Sequence, residues 1–388
     1  MQLTRRSIIG SIAAALAISP ARLLAEQSKG RVVVAPISIE DGRIWVAVSL
    51  NKRPPVLFIL DTGTMTNMVS EEIARSYKLK LKDDADTYGV GGKETGKLVH
   101  VDELTIGGAF HQEFSIFKTS TVFDRGDEKG ALSCKFLTEF DCDLDFAKSE
   151  WRLYPDGRPN RDGLIQIPES YRPRADSMQL TVDAQIAGAT GKFVLDTGAP
   201  GTMLLDGQMT EKTALWDSGA PYAPTQSRGF GPASVPCRLY RADRMKIHKF
   251  VFQRPLIRLM KPGIKMAKMY GMDGLIGLKG LRHFLISTDS KSKSLWLGPN
   301  GMTFPDEDDK YGLSGIWLEH EKDRISISDV GVGSPAANAG MQVGDVIVGK
   351  EWGALLSEIN AAAGRLVKLD YERSGVRRTA EMTLQPYL

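Results

Sequence analysis

The segment Leu57-Phe58-Ile59-Leu60-Asp61-Thr62-Gly63-Thr64 has a counterpart in Gly191-Lys192-Phe193-Val194-Leu195-Asp196-Thr197-Gly198-Ala199. Each is an apolar run closed by Asp-Thr-Gly. A short run of Phe, Ile, Val and Leu ended by Gly reads as a buried strand passing into a tight turn. Each carboxylate therefore sits where a buried strand gives way to a loop, a costly place for a charge unless something uses or pairs it. One such Asp reads equally well as a satisfied turn residue. Two in matching contexts point to an internal duplication.

Paired carboxylates have a specific chemical use. Two of them about 3 Å apart cannot both ionise, so they share one proton. One then acts as general base on a water while the other polarises a carbonyl, and the pair titrates as a unit. The Gly after each Asp-Thr is expected to supply a sharp turn with positive φ. Each Thr offers a hydroxyl that can bond across to the opposite loop.

Both segments resemble the active-site loops of aspartic peptidases of the pepsin and retropepsin type. In that family a later apolar pair followed by Gly threads through each active-site loop. Gly274-Leu275-Ile276-Gly277-Leu278 matches this; Gly130-Ala131-Leu132-Ser133-Cys134 carries Ser133 where the family has Gly. The resemblance covers roughly residues 31 to 300. It implies a mainly β fold with two pseudo-symmetric β-barrel lobes, residues 30–158 and 175–300. Asp61 and Asp196 would be catalytic, supported by Thr62, Gly63, Thr197 and Gly198, with no cofactor and no metal. The substrate would be an extended polypeptide. Both halves of the site lie in one chain, so a monomer suffices. Tyr88, Gly89, Val90, Gly91 and Gly92 fall where the family carries its flap, a hairpin that closes over substrate. The plain alternative for this Gly-rich stretch is an ordinary hairpin; a phosphate loop finds no support, since no helix pattern follows.

The ends of the chain read differently. Thr4-Arg5-Arg6-Ser7-Ile8-Ile9 is a twin-arginine pattern, followed by a short apolar run to Ile18 and small residues up to Ala25. Residues 1–25 resemble a Tat-type export signal, which implies a periplasmic or secreted protein with no stable membrane span after cleavage. Removing Arg5, Arg6 and Arg22 takes the formal net charge from +3 to neutral. The basic balance thus gives no support to a nucleic-acid partner. The 388 residues, 42% hydrophobic and 25% charged, allow two or three folded domains.

Residues 311–388 change character. A strand at Ile325–Val330 is followed by Gly333-Ser334-Pro335-Ala336-Ala337-Asn338-Ala339-Gly340, a helical turn with Ser334 as cap, Pro335 at the first position and Gly340 as stop. Then comes Gly344-Asp345-Val346-Ile347-Val348. This order resembles a bacterial PDZ domain, in which a peptide, often a free C-terminus, adds to a sheet edge. Gly315, Ile316, Trp317 and Leu318 are the candidate peptide-binding loop and strand.

Other chemistry finds little support. Asp141, Asp143 and Asp145 alternate, but no Gly-and-Glu completion of a calcium loop follows. His100 and His111 lack metal-ligand spacing. Cys134, Cys142 and Cys237 are an odd set with no catalytic motif, although Cys134 and Cys142 could bridge. No Gly-x-Ser-x-Gly elbow occurs. Residues 155–173, rich in Pro, Arg, Gly and Asp, read as a linker between the halves. A non-catalytic peptide-binding scaffold is the alternative to an endopeptidase, motivated by Ser133 and by a glycine-poor second hairpin around Gly229-Phe230-Gly231.

Overall fold

The computed structural model describes residues 31–89, 91–124, 126–174, 177–229, 233–264, 271–302 and 311–388. The export-signal segment 1–25, Val90, Phe230, Gly231 and the acidic stretch Asp306–Asp309 lie outside the described residues. The fold is mainly β, and the described residues form four sheets.

The first half builds an eight-stranded sheet. Its centre is Val56–Leu60, which runs parallel to Gly130–Leu132, with Ile59 beside Ala131 and Leu60 beside Leu132. Gly130–Leu132 is antiparallel to Met68–Ser70. A long hairpin, Lys80–Gly89 with Gly92–Ile106, lies toward one side, and Gly92–Ile106 also pairs with Arg43–Leu50, folding the sheet back on itself. Ser70 caps the helix Glu71–Ser76 by accepting from the Ile73 N–H.

The second half repeats this centre. Ala189–Asp196 runs parallel to Gly274–Gly277, with Asp196 beside Gly277. Gly274–Gly277 is antiparallel to Met203–Leu205. A short helix follows each parallel strand, Lys135–Thr138 in one half and Leu278–Leu281 in the other. The buried faces Phe58, Leu60, Leu132 and Phe193, Leu195, Ile276 belong to one continuous core.

A third, six-stranded sheet is built from both halves. Its order is Val33–Pro36, Glu150–Leu153, Cys142–Asp145, Phe284–Asp289, Ser294–Pro299 and Ile165–Ile167. Asp143 pairs with Ser287 across the junction. The stretch read as a linker contributes two short strands: Ile165–Ile167 pairs with Leu295–Leu297, and Tyr171–Arg174 pairs with Ser177–Leu180. Arg161 holds the two halves together, reaching Asp141 at 3.1 Å, Asp289 at 3.3 Å and the Thr288 carbonyl at 2.8 Å. The alternating acids are ion-pair partners: Arg158 meets Asp143 at 2.8 Å and Arg152 meets Asp145 at 2.7 Å.

The fourth sheet, Ile316–Glu321, Arg324–Val330, Val346–Ile347, Leu366–Arg373 and Val376–Thr383, has its own core of Ile316, Leu318, Ile327, Leu355, Val367 and Leu369. Ser334 accepts from the Ala337 N–H at the head of the helix Pro335–Asn338. This unit packs on the second half. The Tyr222 hydroxyl reaches Asp329 Oδ1 at 2.7 Å and the Val330 carbonyl at 3.0 Å. The Arg238 guanidinium lies over the rings of Trp216 and Tyr222, 4.1 and 3.9 Å from their centroids.

Candidate active site

The two Asp-Thr-Gly loops meet at the junction of the first two sheets. Each Thr hydroxyl donates to the main chain of the opposite loop: Thr62 Oγ1 to the Leu195 carbonyl and Thr197 Oγ1 to the Leu60 carbonyl, both at 2.6 Å. Each hydroxyl also accepts the opposite threonine's N–H at 3.0 Å. Three buried polar groups of each loop, a threonine N–H, its hydroxyl and a leucine carbonyl, are thereby satisfied by the other, and neither loop can shift alone without orphaning them.

This brace brings the carboxyls of Asp61 and Asp196 into hydrogen-bond contact. Gly63 N–H donates to Asp61 Oδ1 at 2.9 Å; Gly198 and Ala199 N–H donate to Asp196 Oδ1 at 2.9 and 3.1 Å. Burial raises the pKa of Asp61. Burial first, and then the charge of Asp61, raises Asp196 well above the ordinary carboxylate value. Two carboxyls in contact, Asp61 buried and Asp196 partly exposed, ionise one at a time, so the pair holds one proton over a wide pH range. The charge on Arg43, itself bonded to Glu128 at 2.6 Å, acts on Asp61 in the opposite sense and favours its ionised form.

The role of the glycines differs from the sequence expectation. Neither Gly63 nor Gly198 has positive φ. A Cβ on Gly63 would sit 2.5 Å from the carboxyl carbon of Asp196, and one on Gly198 would sit 2.4 Å from that of Asp61. Glycine is needed because the opposite carboxyl passes directly over its Cα.

Ser133 is accommodated by a residue the sequence reading missed. Its N–H and its hydroxyl both donate to Asn67 Oδ1, at 2.9 and 2.8 Å. In the second half Gly277 N–H donates instead to the Thr202 carbonyl at 3.0 Å, and a Cβ there would lie 2.3 Å from the Gly201 carbonyl oxygen. The first half has room for a side chain where the second does not. The co-occurrence of Asn67 and Ser133 was the only sequence signal for this pairing.

A cavity of about 850 Å³ opens over the two aspartates. Asp86, Thr87, Tyr88 and Gly89 of the long hairpin line it, together with Ala199, Pro200 and Leu204 of the second half. Gly89 pairs with Gly92 at the hairpin end, and the Gly91 carbonyl accepts from the Ala233 N–H at 2.9 Å, so the tip reaches across to the second half. Of the four residues assigned to peptide binding in the C-terminal unit, Ile316 and Leu318 point into that unit's own core. Gly315 has φ +74° and packs against Ser334. Trp317 lines the cavity over the aspartates.

Cys134, Cys142 and Cys237 are free and buried, and burial pushes the first two thiols up to about 12. Such thiols stay protonated and are poor nucleophiles. Among the described residues no cluster of three or more His, Cys, Asp or Glu is arranged to hold a metal ion.

An aspartyl protease family model matches residues 46–132. The match begins in the strand Arg43–Leu50, takes in Asp61, Asn67 and the long hairpin, and ends at Leu132. The first half thus contains an aspartyl protease-like region. The match stops before Asp196, whose relation to Asp61 rests on the geometry above. No curated protein matches the chain.

Proposed function

We propose that the protein is an exported aspartic endopeptidase of two pseudo-symmetric lobes, with Asp61 and Asp196 as its catalytic pair. The observation that carries this reading is the reciprocal Thr62–Thr197 brace, which holds two carboxyls in contact with a cavity above them. A structural role for both acids would leave their burial cost without a return.

The chemistry follows from one shared proton. A water bound between the carboxyls gives its proton to the ionised one as it attacks the peptide carbonyl. The protonated partner donates to that carbonyl oxygen, so the carbon becomes a gem-diol rather than carrying a free oxyanion. The carboxyl that took the water proton then protonates the leaving nitrogen; the C–N bond breaks as one gem-diol hydroxyl returns its proton to the partner carboxylate, leaving a carboxylic acid, an amine and the dyad with its single proton. Arg43 favours Asp61 as the ionised member, while burial and the Asp61 charge favour the protonated form of Asp196. The hairpin bearing Tyr88 and Gly89 would close over an extended peptide and exclude water.

Residues 311–388 fit the role of a PDZ-like module whose edge strand Ile316–Glu321 receives a peptide from substrate or partner. Residues 1–25 fit the role of a twin-arginine export signal. Against the non-catalytic scaffold reading, Asn67 satisfies both the N–H and the hydroxyl of Ser133.

The test is cleavage of a denatured, unstructured protein across pH 3 to 8, with Asp196→Asn beside wild type. Cleavage by wild type that is lost in the variant is expected. Cleavage that persists in Asp196→Asn would sink the dyad.

A further inference from the structure

One cation on the cavity wall has no counterpart in the chemistry above. Arg258 sits in the middle of the strand Leu256–Met260, with Leu204 beside it on one neighbouring strand and Leu239 on the other. Leu204, Leu239, Leu256, Leu275 and Arg258 all line the cavity that holds Asp61 and Asp196. The guanidinium is thus set in an aliphatic surface. Among the described residues Arg258 makes no hydrogen bond or ion pair, and its Nε is buried without a partner. Burial, which disfavours its charged form, is the main influence on it.

Arg174 and Arg228 also line this cavity, Arg228 as an exposed side chain. Arg43 is bonded to Glu128, Asp86 is bonded to Lys93 at 2.7 Å, and the two aspartates share a proton between them. The cation acting on Asp61 is Arg43, not Arg258, so Arg258 is not serving the dyad.

A partly buried arginine with a buried, unpaired Nε is costly without an anion, because a charge taken out of water needs a partner. Its planar fork of donors matches a carboxylate in two parallel hydrogen bonds. We propose that Arg258 is a specificity residue that binds a carboxylate of the bound peptide, on the second-half side of the dyad. The peptide therefore presents an acidic side chain or its own C-terminus at that point, flanked by apolar residues that meet Leu204, Leu239 and Leu256. This rests on the peptide-cleft reading but not on catalytic turnover.

The experiment measures binding to Asp196→Asn full-length protein by fluorescence anisotropy. Three labelled decapeptide pools of Ala, Leu, Phe and Gln are used. One is blocked at both ends, one is blocked and carries a single Glu, and one is uncharged within but has a free C-terminus. Binding of at least one carboxylate-bearing pool about tenfold tighter than the blocked pool is expected, since a charge-assisted pair exceeds that threshold. Which pool gains identifies the source of the carboxylate. Adding Arg258→Met, which replaces the charge by an apolar chain of similar reach, should erase that gain and leave the blocked pool unchanged. Arg258→Gln, which keeps polarity without charge, should do the same. Equal binding of all three pools, or a preference that survives both substitutions, overturns the proposal. Wild-type protein is tested in parallel for cleavage. Preferential binding with no cleavage would leave Arg258 as proposed and remove the peptidase reading; cleavage without preference would do the reverse.

Discussion

Gly63 and Gly198 are fixed by what passes over them rather than by their own torsions, and this sets the first prediction. Gly63→Ala or Gly198→Ala must push the opposite carboxyl aside, since the new Cβ would lie within 2.5 Å of its carbon. A displacement of about 1 Å in a reacting group costs about 100-fold in rate. Steady-state kinetics should therefore show kcat reduced about 100-fold or more in a protein that still folds by circular dichroism. The aspartates make a second prediction, on stability. The pKa of Asp196 is raised in the folded state above the ordinary aspartate value of 3.8, so the folded protein holds this proton more tightly than the unfolded chain does. Its favourable contribution is present below pH 3.8 and is lost as pH rises through the folded pKa. Asp196→Asn should therefore melt higher than wild type at pH 7, by roughly 2 °C or more, and no higher at pH 3; an equal gain at both pH values would refute the linkage. By the same displacement, the alkaline limb of activity should lie well above the ordinary carboxylate range. At this scale the Asp-Thr-Gly segments were legible because each is contiguous and follows an apolar run. Asn67, Arg43 and Arg258 were not, because nothing local tells which face of a strand will meet a cavity.

Single elements acquire their meaning from pairing. The two Asp-Thr-Gly loops are each other's hydrogen-bond partners, so Thr62→Ala removes the donor to the Leu195 carbonyl and the acceptor of the Thr197 N–H together. Two buried groups left unsatisfied cost about 2–4 kcal/mol. Urea unfolding should show that loss, with Thr62→Ser recovering most of it. The apolar runs delivering Asp61 and Asp196 and the helices capped by Ser70 and Ser334 were readable from local pattern alone. The strands Ile165–Ile167 and Tyr171–Arg174 were not. They are three and four residues long and sit in Pro-, Arg- and Gly-rich text. Their extended form comes from the partner strand, not from their own periodicity. The edge strand Ile316–Glu321 shows a related limit: its alternation is plain, but its direction toward the cavity through Trp317 depends on how the C-terminal unit meets Tyr222.

For the molecule as a whole, the six-stranded sheet matters most. Cys142–Asp145 lies against Phe284–Asp289, so the first half has an unpaired edge whenever the second is missing. A chain ended at residue 158 also lacks Arg161 and the Asp289 it bonds. We expect that fragment to aggregate or to stay unfolded by hydrogen exchange, and co-expression with residues 159–388 to restore a folded complex. A fragment that folds alone would show that the shared sheet is dispensable. The mainly β class and the duplication were evident from the chain; the joining sheet was not, because two hairpins at the ends of two repeats read as separate closures.

The shared sheet and the reciprocal brace also impose an order in time. A ribosome releases Asp61 long before Asp196, and the strand that completes the joining sheet, Ser294–Pro299, emerges later still. Contacts this distant along the chain form slowly and only after their second member exists. A nascent chain therefore carries one carboxyl, an open edge and no cleft. Under the peptidase reading, the polypeptide cannot cut its neighbours, or itself, while it is being made, and its harmlessness during synthesis needs no separate inhibitory segment.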